Sequence, residues 1–550
     1  QGFMAMTGAL SRRVRGRAGV VGAIVAVCLL GAGPVAAFDR TDLPLKNWGG
    51  FSIVRDAAYD DLERLATAGL FDRAILNTKP MSRIEAARLV AHAIEKIRAD
   101  TAGVYNNRQD LESVLNRLIE EFRPELASLG AKIGDDRPTP APGVFSFTPL
   151  DRAQVRGGYV NRDFSLINNQ GARFQGGVNG GLTFETRAQI GDFVTFYLQP
   201  ELNGNEEYGA ARLTAGYVKL TAFNVELLAG RENLWWGPAL HGSLIMSNNA
   251  PPLDHVRIGS AEAFRLPLIG DWIGPTKILA FFAELETRRD IPRANLAGMR
   301  GTIAPFSFLE LGASYVNMFG GDRSPRLRGA DDYIRVMFDP QASDQGSATP
   351  QRFRNNALFA LDADVRIMNV DRFFVPAQDA RIYGEFGWDD TCCSTSFLPL
   401  REAASYLFGL HLINLFGDEG LEWRSEFAYS SRLSFTHNQF TRGYWTRGEV
   451  ISHFIGTDGY DFRTRASKRV SHDLMLGVTV NRSEIGETTL NASTPRERRI
   501  GAALDVSYRF AKVYTIFAQA QVMYSHNRNF VPGNDGFDGL VLVELTRSFR

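Results

Sequence analysis

The chain runs to 550 residues, 44% of them hydrophobic and 22% charged, with a formal net charge of zero. Balanced charge gives no reason to expect a nucleic-acid partner, and ordinary apolar content without an apolar run of about 18 residues excludes a helical membrane protein. Closed β-structures can use so long a chain as one unit.

In chain order, residues 1–37 read as a signal peptide. Arg12, Arg13, Arg15 and Arg17 precede an apolar run from Ala18 to Leu30, and Val35-Ala36-Ala37 offers small residues for cleavage before Phe38. Cys28 would leave with this segment; Val27 before it fits a lipoprotein cleavage site poorly. Residues 38–130 are patterned with a period of 3.6. Leu62, Leu65 and Ala66 share one helical face ending at Gly69, a natural C′ residue. Ser82 opens a second helix, with Glu85 completing a capping box and Ile84, Ala87, Ala91 and Ile94 on its inner side. Leu111, Val114, Leu115, Leu118 and Phe122 line a third, giving a small bundle. Residues 131–149, with Pro138, Pro140 and Pro142, read as an extended linker.

Residues 150–550 repeat one pattern: segments of about ten residues in apolar–polar alternation, which lipid outside and a wet lumen inside impose on a transmembrane barrel. Thr183, Glu185, Arg187 and Gln189 oppose Leu182, Phe184, Ala188 and Ile190; Asp362, Asp364 and Arg366 oppose Phe359, Leu361, Ala363, Val365 and Ile367. Glu422, Arg424 and Glu426 likewise oppose Leu421, Trp423, Phe427 and Tyr429. Eighteen strands are predicted, from 151–160 to 538–549, an even number that returns the C-terminus to the side of the helical module. Joints on that side are short (Gly191-Asp192, Ala511-Lys512), whereas 233–255, 319–352, 389–402 and 432–457 are long. Short periplasmic turns and long outer loops are the asymmetry of outer-membrane barrels. The last strand puts Val541, Val543, Leu545 and Phe549 on one face. The predicted fold is an all-β transmembrane barrel of about 18 antiparallel strands with a small N-terminal α-helical domain in the periplasm of a Gram-negative bacterium.

Candidate binding residues fall on two outer loops. The first carries Leu234-Trp235-Trp236-Gly237-Pro238 and Ser247-Asn248-Asn249-Ala250-Pro251. Aromatic faces can stack on sugar rings while amides meet hydroxyls, so Trp235, Trp236, Asn248 and Asn249 are glycan-contact candidates. The competing reading is that the tryptophans pin a loop folded into the lumen. The second loop offers Tyr444, Trp445, Arg447, His453 and Asp458 as further candidates, beside His437 and Glu449; such residues also make ordinary loop-packing networks.

These loops carry a family resemblance. Trp236-Gly237-Pro238 and the Ser-Asn-Asn-Ala-Pro stretch, Tyr383-Gly384-Glu385 leading to Asp389-Asp390, and Gly443-Tyr444 followed by Gly448, His453, Gly456, Asp458 and Gly459 resemble the Wzi family of capsule-assembly outer-membrane proteins. The resemblance implies an eighteen-stranded barrel that holds capsular polysaccharide at the cell surface without catalysis. Separately, Leu65-Ala66-Thr67-Ala68-Gly69-Leu70 and Pro80-Met81-Ser82-Arg83-Ile84-Glu85-Ala86 resemble one S-layer homology unit, with Ser82 and Ile84 in place of its Thr and Ala. Such units bind cell-wall polymers, often in sets of three; one is visible here. Capping accounts for Ser82 and Glu85, leaving Arg83 as the wall-contact candidate, with a purely structural role for the unit as the alternative.

Enzymatic readings find little support. Glu284 with Glu286 and Asp362 with Asp364 are paired carboxylates, but a spacing of two places each pair on the luminal face, with Arg288 and Arg366 to balance them. No zinc-ligand spacing, phosphate loop or nucleophile elbow appears, so neither a metal nor a cofactor is expected. Cys392 and Cys393 are adjacent, and a bridge between them would be strained. The expected partners are capsular or other surface polysaccharide, outer-membrane lipid, and peptidoglycan or the capsule-export machinery. The rival reading is a porin-like pore, which an inward-folded loop such as 319–352 would plug.

Overall fold

The computed structural model describes residues 38–45, 47–48, 54–55, 57–133, 144–205, 209–322, 324–338, 351–389, 403–437, 439–486 and 494–549. The signal peptide, Cys28, Cys392, Cys393 and the proline-rich part of the linker lie outside the described residues.

Eighteen strands close an antiparallel barrel. The last, Gly536–Ser548, pairs with the first, Phe145–Val160, Val541 lying opposite Tyr159 and Arg547 opposite Ala153. Every segment expected from alternation is a strand. The first strand begins at Phe145, inside the expected linker, because the ladder shifts register between Thr148 and Arg152. Pro149 sits in that irregularity and cannot donate to a ladder, so a bulge absorbs it.

Alternation sorts the side chains as lipid requires. On the Leu474–Ile485 and Gly536–Ser548 strands, Val478, Val480, Val541 and Val543 are exposed outside, while Thr479, Asn481, Leu542 and Glu544 are buried within. Leaving one such apolar side chain in water forgoes roughly 1.5–3 kcal/mol, and contiguous rows of them mark a membrane surface. Aromatic girdles flank the band. Near the long-loop rim, Tyr315–Phe359, Phe359–Trp388, Phe386–Trp388 and Phe386–Tyr406 form a ladder of rings with centroids 4.7, 5.3, 5.3 and 5.3 Å apart. At the short-turn end, Phe306–Phe308 and Phe510–Tyr514 stack at 5.3 and 5.2 Å. Glu284 corrects the expectation of a luminal pair: it is exposed on the same face as Ile278 and Phe282, at the outer end of the Pro275–Glu284 strand. There the outward face has left the hydrocarbon and a charge is tolerated.

The helical module comprises α1 (Ala57–Thr67), α2 (Arg83–Arg98), α3 (Gln109–Glu121) and a short α4 (Arg123–Ser128). Leu62, Leu65, Val90, Leu111, Val114, Leu118 and Phe122 share its core. Gly69 adopts φ +75° at the end of α1, where the Leu70 N–H donates to the Leu65 carbonyl at 2.9 Å. Half of the capping box forms: Ser82 Oγ accepts the Glu85 N–H at 3.3 Å, but the Glu85 carboxylate takes Lys277 of the barrel at 2.6 Å.

The module enters the barrel at its short-turn end. Glu63 on α1 pairs with Arg381 at 3.0 Å, and Arg64 with Asp110 at 2.9 Å, with Asn414 at 2.8 Å and with Glu422. Deeper in the lumen, Glu310 accepts the N–H groups of Leu76 and Asn77 at 3.0 and 2.9 Å. Burial alone would raise Asp110; the guanidinium groups of Arg64 and Arg108 outweigh it and hold the carboxyl down to about 2. Buried ion pairs contribute little net stability, yet breaking one costs about 3–5 kcal/mol, so this network fixes how the module sits. The 319–352 loop does not supply a plug among the described residues: its helix, Ala330–Phe338, packs outside, with Val336 against Ala297 and Phe319.

Candidate functional site

The tryptophan loop leaves the Val225–Glu232 strand and turns into the lumen. Trp235 and Trp236 form a two-residue ladder with Lys79 and Thr78 of the helical module, and the Gly237 N–H donates to the Asn77 carbonyl at 2.9 Å. Gly237 has φ +142°, and a Cβ there would run into the Glu385 carboxylate, so the turn needs glycine. Luminal side chains then hold the loop backbone. Glu426 accepts the N–H groups of Leu240 and His241, both at 2.7 Å; Glu385 accepts that of Leu244 at 2.8 Å; Arg381 donates to the Pro238 carbonyl at 3.0 Å.

Both indoles are 1% exposed. Trp235 lies in the core of the helical module, and Trp236 meets Phe281 edge-on at 5.5 Å. Their faces are therefore covered by protein and give a sugar ring no access. Asn248 and Asn249 are also buried and tie segments together. Asn248 Nδ2 donates to the Leu45 carbonyl at 2.6 Å, and Asn249 Nδ2 to that of Val450 at 3.1 Å. Asn249 Oδ1 accepts the Asn168 N–H at 3.2 Å.

The second loop divides. Tyr444 is buried, its hydroxyl 3.2 Å from Met246 Sδ. His453 is buried too, and burial, reinforced by neighbouring His241 and opposed by Asp461, pushes it down to about 4. Trp445 is half-buried, and Asp458 is half-buried in a two-pronged pair with Arg496 at 2.8 and 3.2 Å. Arg447 is exposed: its N–H donates to Glu286 at 3.1 Å and its guanidinium lies 3.6 Å from Asp254. The structure thus leaves Arg447, with parts of Trp445 and Asp458, on the surface. Arg83 is buried as well, donating to Glu125 at 2.5 Å and Glu121 at 2.8 Å, so its role is internal.

Residues that the sequence did not offer as binding candidates complete the long-loop rim. Arg173, Arg288 and Arg442 are exposed there with Asp254, and Arg173 pairs with Glu449 at 2.7 Å. Arg173 and Arg442 carry no sequence signal beyond membership of loops between barrel strands, and Arg288, expected to balance charge on the luminal face, lies exposed past the end of the Pro275–Glu284 strand instead. Exposed pairs of this kind are worth about 0–1 kcal/mol, so their charged groups can exchange a protein partner for ligand hydroxyls or carboxylates at small cost. In the interior, the fold also brings His241, His453 and Asp461 together, three residues that no spacing in the sequence connects.

Residues 156–537 match the family described as Capsule assembly protein Wzi. A curated relative, an uncharacterized 55.8 kDa protein in the cps region of Klebsiella pneumoniae, is 26% identical over 272 residues; the match takes in 48% of this chain and 46% of the relative, so it spans about half of that protein. Among solved structures, Wzi of Escherichia coli, described as a carbohydrate-binding β-barrel outer-membrane protein involved in group 1 capsule assembly, aligns with a TM-score of 0.64 at 19% identity, covering 93% of this chain and 99% of that one.

Proposed function

Because this chain belongs to the Wzi family of capsule assembly proteins, we propose that it binds capsular or related surface polysaccharide and holds it at the outer face of the outer membrane. The observation that carries the reading is where accessible polar chemistry remains. The tryptophan loop and the helical module meet inside the lumen, whereas Arg173, Arg288, Arg442, Arg447 and Asp254 crowd the exposed long-loop rim. Guanidinium groups give planar, multidentate donors for hydroxyls and carboxylates, and the exposed part of Trp445 adds an aromatic edge. Many copies, each binding weakly, would hold one long polymer by avidity.

In this reading the long loops face outward and the short-turn end, with its helical module, faces the periplasm. Any contact with peptidoglycan or export machinery then falls to the module's exposed flank, where Asp72 and Arg98 lie, rather than to Arg83. Binding, not turnover, is the proposed activity. A porin-like pore is less well supported, because loop and module occupy the passage that solutes would need.

The test is a double variant, Arg442→Ala with Arg447→Ala, assayed for binding of purified capsular polysaccharide and for capsule retained on cells. Losing two exposed polar contacts of about 0.7–1.4 kcal/mol each should weaken binding roughly 10–100-fold. Heat-modifiable migration on gels should show the barrel still folded. Undiminished binding and retention would remove the rim from the function.

A further inference from the structure

We infer that His241, His453 and Asp461 form a binding site for one divalent transition-metal ion, Zn2+ being the simplest occupant. The site lies apart from the rim, where the tryptophan loop, the second outer loop and the inner wall of the Gly459–Arg469 strand converge. His241 is 0% exposed, His453 and Asp461 1% each, and one ligand atom from each lies within 4.8 Å of the others. His241 Nδ1 already sits 2.8 Å from Asp461 Oδ2. For tetrahedral coordination with bonds of 2.0–2.1 Å, ligand atoms stand about 3.4 Å apart, so His453 has at most roughly 1.4 Å to close.

Three features go beyond a histidine that merely packs. First, His241 Nε2 is wholly buried without a hydrogen-bond partner. A neutral imidazole has one donor and one acceptor nitrogen, so one of its polar groups stays unsatisfied in a place where water is scarce. Its Nδ1, which faces the carboxylate, is the nitrogen placed to ligate, and the proton of the neutral ring then sits on the unpartnered Nε2. Second, the other oxygen of the carboxylate is already committed: Asn481 Nδ2 donates to Asp461 Oδ1 at 2.6 Å, which orients Oδ2 toward His241 as supporting residues do around metals. Third, Gly242 makes room for the His453 ring, because a Cβ at that position would overlap its imidazole. Two nitrogen donors and one carboxylate suit Zn2+ and its neighbours rather than Mg2+ or Ca2+.

Such an ion would tie two outer loops to the barrel wall. It would be captured as those loops dock, because the assembled site is closed to solvent. Untagged full-length protein, refolded into detergent from metal-free denaturant, should take up one Co2+ per chain, develop visible d–d absorption and lose it to Zn2+. His453→Gln should abolish stoichiometric uptake, and Asp461→Asn should weaken it about 10–100-fold. No bound metal in the wild-type chain, or uptake unchanged by His453→Gln, overturns the site. If that variant fails to fold, pulsed EPR of Cu2+-loaded wild-type protein decides: two coordinated imidazoles support the assignment and fewer refute it.

Discussion

Trp235 belongs to an outer loop by connectivity and to the helical module's core by packing. An indole that bridges two separately encoded parts couples their stability. Truncating a buried tryptophan removes its transfer energy and leaves a cavity, together about 3–5 kcal/mol. Trp235→Ala should therefore lower the urea midpoint of the whole protein and expose the 233–252 loop to proteolysis. A loss below about 1 kcal/mol with the loop still protected would mean that the indole does not join loop to module. Arg83 shows the same logic in polar form. Its ion pairs with Glu121 and Glu125 hold α2 against α3 and α4, and Phe122 lies under the guanidinium at 4.9 Å. A residue that looks like a ligand-binding arginine in a motif is here an internal brace.

Among the elements, the strands were legible because lipid leaves the chain little choice. Period-two alternation survives wherever one face meets hydrocarbon, and all eighteen segments could be read from it. The beginning of the first strand was hidden by Pro149, which reads as linker until a bulge is seen to absorb it. Docking of the module was hidden for another reason. The polar face of α1, carrying Asp61, Glu63 and Arg64, has the same period whether it meets water or a polar lumen. The inward turn of the tryptophan loop was one of the two readings that the sequence offered, but the partners that hold it, Glu385 and Glu426, lie on distant strands and carry no signal in the sequence. The rim surface was half legible: Arg447 and Trp445 were read, while Arg173 and Arg442 carry no motif and Arg288 was expected inside the lumen. The loop from 431 to 458 supports a prediction of its own. Burial, reinforced by Arg354 and opposed by Asp290, pushes His437 down to about 4, and its Nδ1 accepts the N–H groups of Gln439 and Phe440 at 3.1 and 3.3 Å. The folded loop thus binds its proton less readily than an opened one. Stability is complete above the ordinary histidine value near 6.5 and falls as pH drops toward 4, by on the order of 3 kcal/mol at most. Hydrogen exchange at Gln439 and Phe440 should accelerate across that window, and His437→Gln should flatten the response. Exchange that stays flat in the wild type would show that this imidazole does not control the loop.

On the scale of the whole molecule, the question is whether the barrel conducts. An eighteen-stranded wall is wide enough for water, so closure has to come from what fills it. Two obstacles do so from opposite ends and meet at the Trp235–Lys79 ladder. Each has wall contacts of its own, the loop at Glu385 and Glu426 and the module at Glu310, Lys277 and Asn414, while Arg381 holds both. Removing one should weaken the other, which keeps its own contacts with the wall. The luminal wall is polar, so water can replace a missing plug without a large desolvation penalty, and the barrel should survive deletion. Full-length protein in planar bilayers should therefore be nearly silent. Deleting residues 38–133 should give a small, obstructed conductance, deleting 234–252 another, and deleting both a current of porin size. Steady large currents from the intact chain would mean that the packed interior opens in a membrane. The pore reading would then displace the binder.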